Sequence, residues 1–329
     1  MTLALDASYH DRPSEGANPP ESPLAGLLNL SKPKGMTSHD VVNQVRRALG
    51  LKKVGHLGTL DPFAEGVLPV CVGVDTRLIE YFPSDKAYRA TLVFGQASNT
   101  LDCDGILTDD SPPLPENFSE TALKSILPRF IGTLEQTVPL FSAVKVAGKK
   151  LYHYAHAGKT PPVPLPSKMV TISHLALVSY DPGQYPQAIL DVECSSGTYI
   201  RALARDIAEA LGTVAHLKAL VRTRHGRLTL DEATPLADFC QAKAPSTLLK
   251  NPVSALRLPQ VKLSELNRAV ALQYGQKISY LADETDGHIK REALAVLVFD
   301  DSWVAIARRE GEHWAPEKVC ATPVNIPEE

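Results

Sequence analysis

The chain has 329 residues, a formal net charge of −3, 44% hydrophobic and 22% charged residues and a mean hydropathy of −0.09, a make-up expected of a soluble globular protein of about two domains and one that excludes disordered and fibrous classes. No apolar run nears the roughly 18 to 20 residues of a membrane helix; the richest, GVLPVCVGV, is short and contains Pro69. Five scattered cysteines without a C-x-x-C pair read as reduced thiols, and MTLALDASYHDRP lacks the basic start of a secretory signal, so a cytoplasmic location is expected.

Residues 1–25 hold Pro13, Pro19, Pro20 and Pro23 among polar neighbours and are predicted to form a flexible leader. Thr37 and Asp40 have capping-box spacing, and the helix they open places Val41, Val42, Val45, Ala48 and Leu49 on one face before Gly50 stops it. Arg46 and Arg47 lie off that face. The densest motif follows, GHLGTLDPFAEGVLPVCVG, residues 55–73. Gly55, Gly58 and Gly66 permit tight backbone paths around the carboxylate of Asp61, with Pro62 after it and His56 close by. Such crowding suits a site where a bulky ligand approaches the main chain, and equally a turn capped by an aspartate. It is not a phosphate loop, because no Lys-Ser or Lys-Thr follows with the required spacing.

Tyr88, Ala90, Leu92 and Phe94 alternate with more polar positions as in a half-buried strand, and Ala188, Leu190, Val192 and Cys194 repeat the pattern. Between them, Asp102 and Asp104 in SNTLDCDG have the spacing of metal-binding carboxylates or of a turn before Gly105. The proline-rich stretches SPPLPENFS (111–119) and TPPVPLPS (160–167) are predicted surface loops. Residues 138–159 interleave Lys145, Lys149 and Lys150 with Phe141, Tyr152, His153 and Tyr154, the mixture of charge and flat rings found on nucleic-acid surfaces or in a packed amphipathic segment. His153 and His156 lie three apart, but no cysteine or third histidine nearby completes a zinc set, so no metal is expected.

In CSSGTYIRALARD (194–206) a Ser/Gly turn passes through Thr198 into a helix that places Ile200, Leu203, Ile207 and Leu211 on its apolar side before Gly212. Arg201 falls in the first turn, where the helix dipole is already positive, so an anion, either a protein carboxylate such as Asp61 or a ligand phosphate, should offset it. Tyr199 beside it could cover a flat ring. Composition turns loop-like over 242–259, and apolar alternation resumes through LAVLVF and WVAIARR, which predicts a small β-rich domain.

Charge is segregated. Residues 26–60 carry a net +5, and 141–160 and 213–230 carry +4 each without an acid, so the remainder holds −16. These stretches are either solvated faces or surfaces for a phosphate backbone.

In chain order, LLNLSKPKGMTSHDVV, GHLGTLDPFAEGVLPVCVG, KAYRATLVFG, VPLFSAVKVAGKKLYHYAHAG, SSGTYIRALARDIAEALG and AHLKALVRTRHG resemble the motifs of the TruB family of tRNA pseudouridine synthases over residues 26–230. The 138–159 segment is similar to the thumb of the stand-alone bacterial branch more than to the branch that works in guide-RNA particles.

The resemblance implies an α+β fold: a pseudouridine synthase core over 26–242 with a mixed, largely antiparallel sheet, and a PUA-like RNA-binding domain over 256–325. It implies an isomerase that converts the T-loop uridine of tRNA to pseudouridine without cofactor or metal, as a monomer with no obligate protein partner. It makes Asp61 the essential carboxylate, Arg201 its partner, Tyr88 the ring that stacks on the flipped base, His56 and Lys32 substrate contacts, and Tyr199 and Leu220 pocket walls. Leu57 stands where the family commonly has a small hydroxyl residue, and Asn99 where an acid is usual. Two other classes remain open: an RNA-binding module keeping the fold without catalysis, and a glycosidase-like hydrolase, which would want a second carboxylate across from Asp61, a role Glu65 does not suit.

Overall fold

The computed structural model describes residues 24–108, 113–284 and 289–320. All but the last two residues of the expected leader, the start of the first proline-rich loop, and the end of the expected C-terminal domain lie outside these.

Strand β1 (Gly26–Lys32) leads into α1 (Ser38–Leu49). Thr37 and Asp40 make both capping bonds, and Gly50 closes the helix at φ 66°. The apolar stripe of α1 buries Val41, Val42 and Val45 against Leu28, Leu30, Leu68 and Val70, each large side chain removing about 1.5–3 kcal/mol of unfavourable hydration.

The strands that follow are β2 (Val54–His56), β3 (Glu65–Val72), β4 (Lys86–Phe94), β5 (Gly132–Thr137), β6 (Ser167–Asp181), β7 (Gln187–Cys194) and β8 (Ala215–His225). With Leu228–Thr229 and Thr234–Pro235 they form one ten-stranded sheet in the order Thr234–Pro235, β1, β3, β8, β4, β7, β6, β5, with Leu228–Thr229 against β8 and β2 against β3. Only β1 with Thr234–Pro235 and β3 with β8 pair in parallel, so the sheet is mixed and largely antiparallel, as expected.

The parallel junction depends on Gly66. It pairs with Arg222 at φ +100°, and a Cβ there would collide with the Arg222 backbone. This closeness sets β8 beside the loop that carries Asp61.

Helices α2 (Glu120–Ile126) and α3 (Leu151–His156) are short. Helix α4 (Ile200–Ala210) buries Ile200, Leu203 and Ile207 in the cluster that holds Tyr88, Ala90, Leu92 and Phe94, so the strand and helix read from alternation and 3.6-residue spacing meet. Helix α5 (Leu236–Gln241) adds Leu236 and Phe239 to the layer beneath α1.

The loop-like stretch 242–259 is not slack. Leu27 and Lys250 exchange two backbone hydrogen bonds of 2.9 Å, and Val253, Ala255 and Leu256 are buried.

Beyond it, β9 (Gln260–Lys262), β10 (Ile278–Ser279), β11 (Leu294–Phe299), β12 (Ser302–Glu310) and β13 (His313–Val319) form a five-stranded sheet in the order β9, β11, β12, β13, β10. Helix α6 (Leu266–Gln273) contributes Ala269 and Leu272 to its core with Leu297, Val304 and Trp314. Val296, Trp303 and Ile306 instead pack with Leu27, Cys71, Leu78 and Phe82 of the large sheet's side, and Trp303 Nε1 donates to Asp75 Oδ1 at 2.5 Å.

Candidate active site

A cavity of about 820 Å3 lies between the Asp61 loop, the N-terminal end of α4 and residues 141–156, within the usual range for small-ligand sites. Its position follows from how the loop is held. Arg222, fully buried on β8, donates from Nη2 to Gly58 O at 3.0 Å, from Nη1 to Thr59 O at 3.2 Å and from Nε to Val67 O at 2.6 Å. Ser38 Oγ accepts from Leu60 N at 2.8 Å and donates to Leu60 O at 3.1 Å. Lys32 Nζ donates to Pro33 O, Met36 O and Pro62 O at 2.9, 2.7 and 3.3 Å. Carbonyls on both sides of Asp61 are thus tied to buried side chains, and the carbonyl dipoles offset part of the cost of burying two cations. Burial pulls the Lys32 ammonium down to about 8, against the raising effect of Asp61.

Asp61, 35% exposed, receives a bidentate pair from Arg201, 5% exposed: Nε to Oδ2 at 2.9 Å and Nη2 to Oδ1 at 3.3 Å. Arg201 also donates from Nη1 to Thr100 O at 2.9 Å and from Nη2 to Phe141 O at 3.0 Å, and its Nε lies 3.5 Å from Asp102 Oδ2, a carboxylate 7% exposed. The anion that offsets an arginine at the start of a helix is therefore a pair of protein carboxylates. Burial pushes the Asp102 carboxyl up, while the Thr100 hydroxyl and Arg201 hold it down. Of the two readings of SNTLDCDG, the structure presents the turn before Gly105, whose amide donates to Asp102 O at 3.4 Å, and gives the Asp102 carboxylate a further contact. Asp102 accepts turn bonds from Thr100 Oγ1 and Asp104 N and also faces Arg201. Among the described residues no group of three or more His, Cys, Asp or Glu could hold a metal.

Tyr88 and Leu220 lie buried at the cavity. Burial pushes the Tyr88 phenol up to about 12, opposed by Arg222, so at neutral pH it keeps its proton and offers a ring and a hydroxyl rather than a base. Lys86, two residues earlier on the same strand, also lines the cavity, and burial with the nearby Arg222 charge draws its ammonium down to about 8. Tyr199 also lines the cavity, with Lys168 Nζ 4.3 Å from its ring centroid. Phe141 and His156, in edge-on ring contact at 5.6 Å, close the cavity from the thumb-like segment.

Of the residues singled out in the sequence, Asp61, Tyr88, Tyr199, Arg201 and Leu220 come together at the cavity; His56 and Lys32 do not line it. His56 sits on β2 with Nδ1 buried and without a hydrogen-bond partner, and burial lowers its basicity. Lys32, expected as a substrate contact, has its ammonium directed to three backbone carbonyls and its side chain fully buried. The third basic stretch is corrected in part: Arg222 is internal and Arg224 is paired with Asp85 at 2.5 Å and Glu193 at 2.8 Å, while Lys218 and Arg227 are exposed. Arg47, Lys52, Lys53, Lys145, Lys149 and Lys159 remain exposed. Sequence reasoning missed Arg222 and Asp102 as parts of the site. The signal for Arg222 was its parity with Leu220 on an alternating strand, which turns a cation inward.

Comparison with known proteins adds to this geometry. Residues 46–200 match the model of the TruB family pseudouridylate synthase N-terminal domain. The tRNA pseudouridine synthase B of Heliobacterium mobile is 42% identical over 258 residues, covering 78% of this chain and 82% of that protein. That of Symbiobacterium thermophilum is 47% identical over 249 residues, covering 75% and 81%. Among solved structures, a chain of an H/ACA RNP bound to a substrate RNA containing 2′-deoxyuridine superposes with a TM-score of 0.67 at 22% identity over 93% of this chain and 92% of that one. A chain of a Cbf5-Nop10-Gar1 complex gives 0.66 at 24% over 93% and 91%. At these identities the superpositions establish the fold.

Proposed function

The chain belongs to the TruB family of pseudouridylate synthases, and from that premise we propose that it isomerises the T-loop uridine at position 55 of tRNA, with Asp61 as the acting carboxylate and no cofactor. The observation that carries this reading is the bidentate Arg201–Asp61 pair in a cavity that also holds Tyr88, Tyr199 and Leu220. RNA binding alone does not call for a partly exposed carboxylate clamped at the bottom of a pocket.

In the reaction the uracil N1–C1′ bond breaks, the base turns, a C5–C1′ bond forms, the C5 proton leaves and N1 takes up a proton, so that the product is an isomer. Asp61 either attacks C1′ or assists loss of the C2′ proton to a glycal intermediate that is later reprotonated. Both routes use an ionised carboxylate in fixed orientation, which a two-point arginine contact maintains. A stacked uridine must first leave its loop, at a cost of a few kcal/mol, and Tyr88 supplies the ring that receives it. The exposed lysines of the thumb-like segment and the cations after α1 face the T-arm phosphates. The segment 256–325 serves as a PUA-like RNA-binding domain, and the enzyme works in the cytoplasm as a monomer without an obligate protein partner.

An unmodified tRNA transcript treated with the protein alone, then mapped for pseudouridine by reverse-transcription stops after carbodiimide adduct formation, tests this. A new stop at the T-loop position is expected. A stop elsewhere in the tRNA, or only with an added RNA or protein, overturns the assignment.

A further inference from the structure

Gln136 on β5 is fully buried although its side chain is polar. Its carboxamide lies along the backbone of Tyr199: Oε1 accepts from Tyr199 N at 2.8 Å, and Nε2 donates to Tyr199 O at 3.2 Å. Tyr199 is the residue that caps α4, and it makes no side-chain capping bond of its own. Its carbonyl also accepts from Leu203 N at 3.0 Å, the first bond of the helix.

The same stretch of chain meets α4 twice more. Arg205 Nη2 donates to Thr137 O at 3.3 Å, and Arg201 Nη2 donates to Phe141 O at 3.0 Å. Residues 136–141 are therefore stitched to α4 at Tyr199, Arg201 and Arg205, and they lead directly into the thumb-like segment, whose Phe141, Ser142 and Ala143 line the cavity. A glutamine amide can satisfy a donor and an acceptor on one residue at once, which neither a carboxylate nor a hydrocarbon of similar length can do.

We propose that Gln136 is a positioning residue for the isomerisation. By holding both backbone groups of Tyr199, it sets the rotation of the first turn of α4, and with it the alignment of Arg201 on Asp61 and of the Tyr199 ring in the cavity. It touches neither substrate nor the reacting atoms, and acts through residues 199 and 201. This rests on the reading that Asp61 and Arg201 carry out the isomerisation.

The test is single-turnover tritium release from tRNA labelled at uracil C5, with enzyme in excess and saturating, for the wild type, Gln136→Met and Gln136→Glu. Circular dichroism reads the folded fraction, and the single-turnover rate constant reads alignment. Because displacements near 1 Å at a catalytic group cost on the order of 10²-fold, Gln136→Met is expected to slow the rate constant by about 10- to 100-fold with tRNA affinity within about threefold of wild type. Gln136→Glu, which keeps the acceptor for Tyr199 N–H, is expected to fall between. A Met variant within threefold of the wild-type rate constant, a loss seen only in the folded fraction, or a loss seen only in tRNA affinity overturns the proposal. A wild type that releases no tritium removes the underlying reading and the proposal with it, whereas wild-type release with an unaffected Met variant overturns the proposal alone.

Discussion

Arg201 faces two carboxylates and two backbone carbonyls from a position 5% exposed, so its replacement acts on chemistry and on stability by separate routes. Arg201→Lys keeps a charge but loses the planar fork that grips Asp61 at two points, and we expect the saturating rate to fall by about 10²-fold or more with tRNA binding retained. Arg201→Met also leaves Asp102 buried without its cation, which costs about 3–5 kcal/mol; calorimetry should show the loss in the Met variant and a smaller one in the Lys variant. His225 gives a pH dependence of opposite origin. Burial, with Arg222 and Lys86 adding to it, lowers its basicity from 6.5 to about 3, so the unfolded chain takes up its proton first as pH falls. The stabilisation is complete above about 6.5 and is lost on going down through about 3, up to a few kcal/mol. His225→Leu should flatten the acid limb of Tm against pH between these values, and an unchanged limb would rule this out. At this scale the pairing of Arg201 with Asp61 was legible, because a cation in the first turn of a helix calls for an anion. Arg222 and Lys32 were misread because composition counts a cation as surface charge, whereas here main-chain carbonyls solvate it inside the fold.

Among the elements, α1 was legible end to end, since cap, apolar stripe and stop are all local signals. Thr37→Ala should cost about 1 kcal/mol, read as a lower denaturation midpoint with an unchanged denaturant slope. Helix α4 begins two residues later than Thr198, because its capping residue is held by Gln136 from a distant strand rather than by a neighbouring hydroxyl. No local pattern reports such a bond. Gly66 marks the opposite case, a local glycine whose necessity is non-local: its conformation and the Arg222 backbone leave no room for a side chain. Gly66→Ala should therefore lower Tm, the reverse of the roughly 0.4–1 kcal/mol stabilisation typical of a glycine-to-alanine change in a permissive setting, and a wild-type Tm would contradict the parallel β3–β8 junction. The glycine motif announced a tight path without saying which strand made it tight.

Across the whole molecule, the C-terminal sheet shares an apolar cluster with the large sheet, and the contact includes a buried carboxylate. Burial pushes the Asp75 carboxyl above its ordinary 3.8, while the Trp303 indole opposes this. A raised acid favours the fold most below the unfolded value of 3.8 and loses that contribution as pH rises through the higher folded value. Asp75→Asn keeps an acceptor for Trp303 and removes the ion, so its Tm should exceed that of wild type at pH 7, with the gain vanishing below about pH 3.8. The change of composition over 242–259 was visible in the sequence, but the packing there was not, because loop-like sequence does not reveal that Val253 and Leu256 are buried between two sheets. Segregated charge predicts that tRNA affinity falls linearly in log–log form with salt. Removing the exposed Lys52 and Lys53 together should reduce that slope by up to about two phosphate contacts and leave the saturating rate unchanged.

Tritium release from tRNA labelled at uracil C5, compared between wild type and Asp61→Asn at matched tRNA occupancy, bears most directly on Asp61 as the agent of isomerisation. Release from the T-loop uridine by wild type and none by Asp61→Asn, with tRNA binding retained in both, is the expected result. Tight binding without release by wild type, or release by Asp61→Asn at the wild-type rate, would contradict it.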